Sequence, residues 1–353
     1  MVEFRIFDGD IQEVSNLIKA SWAEDYQGAY KQPVMDYSSI EFLESNLRKP
    51  NSDPDLLGGA YSGGKLVGFL GGFSLNFRYN DMMLRGVSGS FCTTHIDYKR
   101  QGVAKTLIRE ATLKGIEDGY DIYCSVPDEG HPIERALENV SKETNIGYFK
   151  LHRFTFLAKP LDKSMLLELS NLPLYQKIAL PLITKRADTA IRKAYGFEPT
   201  NDVKTICQML NSSYETNTLA VNWEEDMHAD QFRNRISNTL FINQDGQKGF
   251  INYYNIDLIG CRSPVKVHKT TMIDNVQFEN MSLIEKHRFV SDFCTHQKKH
   301  GSCLINIPTV PVFDLRPFYS NLFFPTGRHH CYFIQDLQHK LEENVKAGYL
   351  FVR

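Results

Sequence analysis

No stretch of this chain approaches the ~18 uninterrupted apolar residues that a bilayer-spanning helix needs, and its first residues lack a positive-then-apolar leader pattern. A membrane span is excluded on that reading, no membrane partner is expected, and a cytoplasmic location is. Cysteine is sparse and unpatterned. The seven residues (92, 124, 207, 261, 294, 303 and 331) are odd in number and form no Cys-x-x-Cys, which excludes a disulfide framework or a zinc ribbon and implies reduced thiols. Excess charge of one sign is missing as well: 40 Lys and Arg stand against 42 Asp and Glu, a net charge of −2. Binding to a phosphate backbone normally needs a basic balance or stripe, so no nucleic-acid partner is expected. Two familiar phosphate loops are also absent, with no Gly-x-x-x-x-Gly-Lys-Ser/Thr and no Gly-x-Gly-x-x-Gly after a first strand.

What the chain does contain is an ordinary globular composition, 42% hydrophobic and 23% charged over 353 residues, enough for two domains with real cores. Its most informative stretch is Lys99-Arg100-Gln101-Gly102-Val103-Ala104, between a strand-like run and an amphipathic helix. Gly102 permits a tight turn and Ala104 keeps the helix start slim, so the free N–H groups of the first turn can face an anion. Ala104, Leu107, Ile108 and Ala111 follow at i, i+3, i+4, i+7 spacing, while Lys105, Arg109, Glu110 and Lys114 turn to solvent. Lys99, Arg100 and Lys105 add positive charge where the helix dipole already favours an anion. A diphosphate is the expected ligand.

Around this motif the patterning predicts a strand at 3–7, a helix lined by Ile11, Val14, Leu17 and Ile18, and a second helix at 39–48. A hairpin across Ser62-Gly63-Gly64, a strand at 82–96, the helix at 104–119 and a strand at 120–126 follow. This order and the Lys99–Ala104 motif resemble the GNAT superfamily of acyl-CoA-dependent N-acetyltransferases, whose motif runs Gln/Arg-x-x-Gly-x-Gly/Ala. Lys99 at the Gln/Arg position keeps the charge and loses a planar fork. The resemblance covers roughly residues 1–160.

It implies an α/β fold of mixed α+β type, with a central, mostly antiparallel, splayed sheet, and acetyl-CoA (coenzyme A) as cofactor. The diphosphate would be held by Lys99, Arg100, Gln101, Gly102, Val103, Ala104, Lys105 and Thr106. The pantetheine arm would run beside Cys92, Thr93, Thr94, His95 and Ile96, where a backbone N–H would stabilise the oxyanion. The acceptor would be a primary amine of a small molecule or peptide, met by Tyr26, Tyr30 and Tyr37 between the first two helices. A homodimer is a permitted assembly.

The proton acceptor is harder to place, because residues 82–96 contain no carboxylate. His95 is the nearest titratable group, with an ordinary pKa of ~6.5 that suits the task. Glu129, in the Asp128-Glu129-Gly130-His131 loop, is a second candidate. Tyr148, in Tyr148-Phe149-Lys150-Leu151-His152, resembles the family tyrosine that reprotonates the thiolate, although His152 replaces a glycine of that pattern. The missing carboxylate also keeps a second function open, a catalytically silent module that binds acyl-CoA as a sensor or serves as an interaction domain.

Residues 161–221 read as a helical connector, with a polar helical piece at 185–193, and residues 222–353 resume the alternation. Helices are expected near 226–237, 282–299 and 313–321, with strands near 239–243, 249–259, 270–276, 302–307 and 349–352. No Gly-x-Gly/Ala cradle recurs there. This resembles the tandem GNAT arrangement of N-myristoyltransferases and some bacterial acetyltransferases, in which the C-terminal copy builds the acceptor site or the interface, with a different α+β domain as the alternative; in N-myristoyltransferases and some tandem acetyltransferases the terminal carboxylate acts as base, which points to Arg353. His296 and His300 stand at i, i+4 with Cys294 and Cys303 nearby, but Lys298 and Lys299 mark a solvated helix end, and no metal is expected. His329-His330-Cys331 reads as strand or turn.

Overall fold

Residues Glu3–Ile6 form strand β1, and Ile11–Trp22 form helix α1, whose stripe of Ile11, Val14, Leu17 and Ile18 is buried as its spacing requires. Helix α2 (Ile40–Leu47) starts at Ser39, whose hydroxyl accepts the Phe42 N–H and removes one of the unsatisfied first-turn donors. The first half continues through β2 (Val34–Met35), β3 (Gly58–Ser62), β4 (Lys65–Tyr79), β5 (Met82–Thr94), α3 (Val103–Glu117), β6 (Ile122–Ser125), α4 (Pro132–Glu143) and β7 (Gly147–Pro160). Then come α5 (Lys163–Leu169), α6 (Leu174–Lys185), β8 (Glu198–Pro199) and α7 (Val203–Asn211). The second half contains β9 (Thr218–Val221), α8 (Glu225–Phe232), β10 (Ser237–Gln244), β11 (Gln247–Ile259), β12 (Val267–Glu279) and α9 (Leu283–Lys299). It ends with β13 (Leu304–Pro308), α10 (Arg316–Ser320), β14 (Phe324–Asp336) and β15 (Lys346–Ala347). This computed structural model describes residues 2–22, 33–49, 52–170, 174–185, 198–199, 202–212, 218–244, 246–348 and 350.

The strands join in one mixed sheet, in the order β1, β3, β4, β5, β6, β14, β7, β13, β12, β11, β10, β8. Its centre is an exchange. β14, from the second half, lies between β6 and β7 of the first, pairing Ile334 with Cys124 on one side and with Phe149 on the other. β7 is long enough to reach both ways, since its far end pairs with β13 through Leu157 and Ile307. One hydrophobic core therefore runs through both halves, with Phe77, Ile122, Leu157, Leu219, Phe250, Ile305 and Tyr332 in the same buried cluster. The buried amide of Gln335 on β14 ties two helices to the sheet: Thr112 of α3 donates to its oxygen at 3.2 Å, and it donates to Ser141 of α4 at 3.0 Å.

The patterning anticipated most elements to within a few residues and missed β14. Its first four residues are exposed and Arg328-His329-His330 interrupts the apolar alternation, so nothing local marks a strand. Most of the strand expected at 349–352 and most of the polar helix expected at 185–193 lie outside the described residues. The buried side of α3 is built by Val103, Leu107, Ile108 and Thr112; Ala104 sits at its half-exposed margin rather than at its centre.

Candidate active site

β5 and β6 run parallel and pair only from Gly86 with Ile122 to Ser88 with Cys124. Beyond that point they part. The divergence has local causes: β5 stays on β4, and a bulge sets Phe91 and Cys92 against Leu70 alone, since Ser90 pairs with Gly71 and Thr93 with Phe69. Phe91 takes a positive φ of 53°, which a bulky residue adopts only when the surroundings impose it. Gly89 is needed just before the bulge, because a Cβ there would collide with the ring and hydroxyl of Tyr123. Three buried hydroxyls flank the opening, Ser90 and Thr94 on β5 and Ser125 on β6, and none finds a partner among the protein atoms described. Buried hydroxyls are normally satisfied, so these donors fit a polar ligand lying between the strands.

Below the opening, Gly102 has φ 83° and ψ 1°, a left-handed conformation in which a side chain is strained, and it is the N-cap of α3 with no side-chain cap. The first-turn N–H groups of an uncapped helix have no intrahelical partner, and the space where a Cβ of Gly102 would stand is open. Arg100, also left-handed with φ 61°, is exposed beside it. The loop is pinned by the Gln101 amide, which donates to the Asp97 carbonyl at 2.7 Å. α3 sits unusually close to the sheet at this end because Gly68 of β4 lies beneath it; a Cβ there would come within 2.5 Å of Val103 Cγ1. Lys105 reaches sideways to Glu143 at the end of α4, at 2.5 Å. The residues present therefore fit an anionic diphosphate on backbone amides, with Arg100 alongside.

The other candidates are placed less uniformly. Thr93 is buried; its hydroxyl donates to the Phe91 carbonyl at 3.0 Å and accepts from the Trp22 indole at 3.1 Å, tying the end of α1 to the bulge. The Cys92 thiol is pushed up to about 12 by burial, which keeps it protonated and unreactive. His95 is committed locally, its Nδ1 accepting the Asp97 N–H at 3.3 Å as the cap of a short turn over Ile96–Tyr98. Tyr148 is the second residue of β7 and stacks on Phe333 at 5.5 Å, within the cluster that packs under α3 and α4. Glu129 is an exposed partner of Arg153, whose Nε and Nη2 both donate to its Oε2, at 2.9 and 2.6 Å. Tyr37 packs between Trp22 and Phe42 at centroid distances of 5.9 and 5.2 Å, and its hydroxyl donates to Met35 Sδ at 3.0 Å. Tyr26, Tyr30 and Arg353 lie outside the described residues.

Sequence reasoning missed the bulge, Gly68 and the contact of Asp128 with His330 at 2.9 Å. Burial would raise the Asp128 carboxyl, but the hydrogen bond from His330 and the charges of His330, Arg328 and His131 outweigh it, so its pKa lies below the ordinary value.

The second half repeats the plan without the vacancy. β12 and β13 pair in parallel up to Met272 with Asn306, and a bulge follows at Asp274. There the opening is filled from within: the Asp274 carboxylate is buried and accepts from Gln231 of α8 at 2.8 Å. At the start of α9, the Ser282 hydroxyl caps the Glu285 N–H while the Glu285 carboxylate accepts the Ser282 N–H. That capping box consumes first-turn donors and sets a negative charge where an anion would have to sit.

Among the described residues no helix is long and apolar enough to cross a membrane, and no group of three or more His, Cys, Asp or Glu side chains is placed to hold a metal ion. Residues 17–136 match the model of the acetyltransferase (GNAT) family. No curated protein sequence matches the chain. Among solved structures, N-myristoyltransferase of Saccharomyces cerevisiae with bound myristoyl-CoA superposes with a TM-score of 0.75 at 14% identity, over 95% of this chain and 82% of that one. A GCN5-related N-acetyltransferase from Anabaena variabilis superposes with a TM-score of 0.50 at 11% identity, over 96% and 73% of the two chains. Residues 17–136 thus match the GNAT acetyltransferase family model, within a chain whose fold is that of the tandem GNAT-fold N-myristoyltransferase.

Proposed function

We propose that this chain is an N-acyltransferase that moves an acetyl group from acetyl-CoA to a primary amine of a small molecule or peptide. One observation carries the reading: an uncapped, left-handed helix start directly follows a strand that has just left its parallel neighbour. The first feature suits a diphosphate and the second exposes backbone for a thioester arm. Thr93 to Ile96 and Lys99 to Thr106 would then line the bound coenzyme, and backbone N–H groups at the Phe91–Cys92 bulge would face the developing oxyanion.

A short acyl group is favoured by the packing beyond the bulge. Phe91 meets Phe42 at 6.0 Å, and Phe42 meets Tyr254 of the second half at 5.6 Å, which closes the end of the opening with aromatic rings. That contact, with β2 pairing to β11, supports residues 222–353 as a wall of the acceptor side. The seven free thiols accord with a reducing compartment such as the cytoplasm.

The test is thiol release from acetyl-CoA and from myristoyl-CoA over a panel of small amines and of octapeptides differing in the N-terminal residue. Amine-dependent release from acetyl-CoA is expected, exceeding that from myristoyl-CoA. Binding without transfer to any amine would favour the silent module instead, the reading suggested by the absence of a carboxylate from β5.

A further inference from the structure

Resting on that reading, the geometry points to His330 as the group that takes the proton from the acceptor amine, with Asp128 as the residue that positions it. His330 stands outside the stretches to which the sequence directs the search, and Asp128 adjoins the candidate Glu129.

Two observations place the pair at the opening. The last β5–β6 pair is Ser88 with Cys124; Phe91 lies three residues beyond it on one strand and Asp128 four beyond it on the other. At ~3.3 Å per residue, the bulge and the pair stand at about the same height on the two arms of the V. The second observation fixes the face. The His330 ring meets Phe156 edge-on at 5.2 Å, and Phe156 packs in the same cluster as Phe91, Tyr37 and Phe42. Phe154 stacks on the ring at 5.5 Å from the same strand.

The chemistry follows from which ring nitrogen is occupied. Nδ1 lies 2.9 Å from Asp128 Oδ1, so the ionised carboxylate accepts a hydrogen bond from Nδ1–H and leaves the lone pair on Nε2. Nε2 has no protein partner among the described residues, and the side chain keeps 15% of its surface exposed, so a ligand can reach it. Asp128, on the loop after β6, pairs with the ring, and the other charges acting on Asp128 are Arg328, on the strand of His330 and 4.0 Å from Asp128, and His131 farther along the loop. β7 packs the rings of Phe154 and Phe156 against the His330 ring, and Arg153 of the same strand pairs with Glu129, next to Asp128.

In the step proposed, the acceptor enters as an ammonium ion and gives one proton to His330 Nε2. The nitrogen lone pair then forms the C–N bond at the thioester carbonyl. As the C–S bond breaks, its electron pair leaves on sulfur, which takes the second nitrogen proton, and the products are the amide and the CoA thiol. His330 returns its proton to solvent. Nothing is oxidised or reduced.

The experiment uses the full chain and two readouts. In wild type, ¹⁵N spectra of the histidines should show His330 protonated at Nδ1 and bare at Nε2, with the Nε2 signal moving on addition of acetyl-CoA. Asp128→Asn should mix the tautomers. In transfer assays, His330→Gln should lower kcat about a hundredfold and remove the acid limb of the kcat/KM profile, while acetyl-CoA affinity and Tm stay close to wild type. The proposal is overturned if His330 carries its proton on Nε2, if its signal ignores saturating acetyl-CoA, or if His330→Gln keeps the wild-type profile. It is equally overturned if His330→Gln loses acetyl-CoA affinity and Tm together, since that marks a structural role. A wild-type chain that binds neither acetyl-CoA nor myristoyl-CoA contradicts the acyltransferase reading itself, and the proton-acceptor role falls with it.

Discussion

Gly102→Glu is expected to fold and to lose acetyl-CoA affinity by at least about a hundredfold, equivalent to about 2.7 kcal/mol. The new side chain meets no wall, because nothing lies within 4 Å of the added Cβ. The penalty to folding is therefore confined to the left-handed backbone at φ 83°, on the order of 1 kcal/mol for a residue with a Cβ. The penalty to binding is larger for two reasons. A carboxylate is placed at the N-cap of α3, where its oxygens can accept the first-turn N–H groups that the ligand needs, and its charge repels the diphosphate. The second half shows such a closed end, since Ser282 caps the Glu285 N–H of α9 and the Glu285 carboxylate accepts the Ser282 N–H. Calorimetry with acetyl-CoA checks the affinity and circular dichroism the fold. A folded variant with unchanged affinity would remove α3 from the site.

Acidification should unfold the chain through His228. This residue is buried against Trp223 at 4.8 Å, with Nδ1 3.0 Å from the Glu224 carbonyl and Nε2 without a hydrogen-bond partner among the described residues. Burial, with Lys49 nearby, lowers its pKa to about 4. A histidine depressed in the folded state stays neutral there, while the unfolded chain takes up a proton from about pH 6.5 downward. Its neutral form thus supports full stability above about pH 6.5; stability falls between about pH 6.5 and 4 and levels off below. Over that window the loss is about 3 kcal/mol, from ~1.4 kcal/mol for each unit of displacement. Urea titrations from pH 7 to 4 should show the decline, and His228→Phe should flatten it. An equally steep decline in that variant would assign the acid sensitivity to other groups.

How far the sequence reveals this molecule depends on whether a feature is local. The α3 cradle is legible because a turn glycine, flanking charge and helical spacing lie within a few residues. Even there, the spacing put Ala104 at the centre of the buried face, which the close approach of Gly68 gives to Val103. β14 escapes notice because its strand character comes from β6 and β7 on either side, while its own Arg328-His329-His330 reads as polar loop. The Phe91 bulge is set by register against β4, and no residue preference announces a phenylalanine at positive φ. The pairing of Asp128 with His330 exists only because β14 crosses between the halves, so its members are remote in sequence and adjacent in space.

The central claim is that the tandem fold holds one coenzyme site, at α3, its counterpart at α9 being closed by Ser282, Glu285 and Asp274. Calorimetric titration of the full chain with acetyl-CoA tests it most directly. One site per chain is the expected result, abolished by Gly102→Glu and indifferent to Glu285→Gln. Two equivalent sites per chain, or no heat of binding with either acetyl-CoA or myristoyl-CoA, would contradict it.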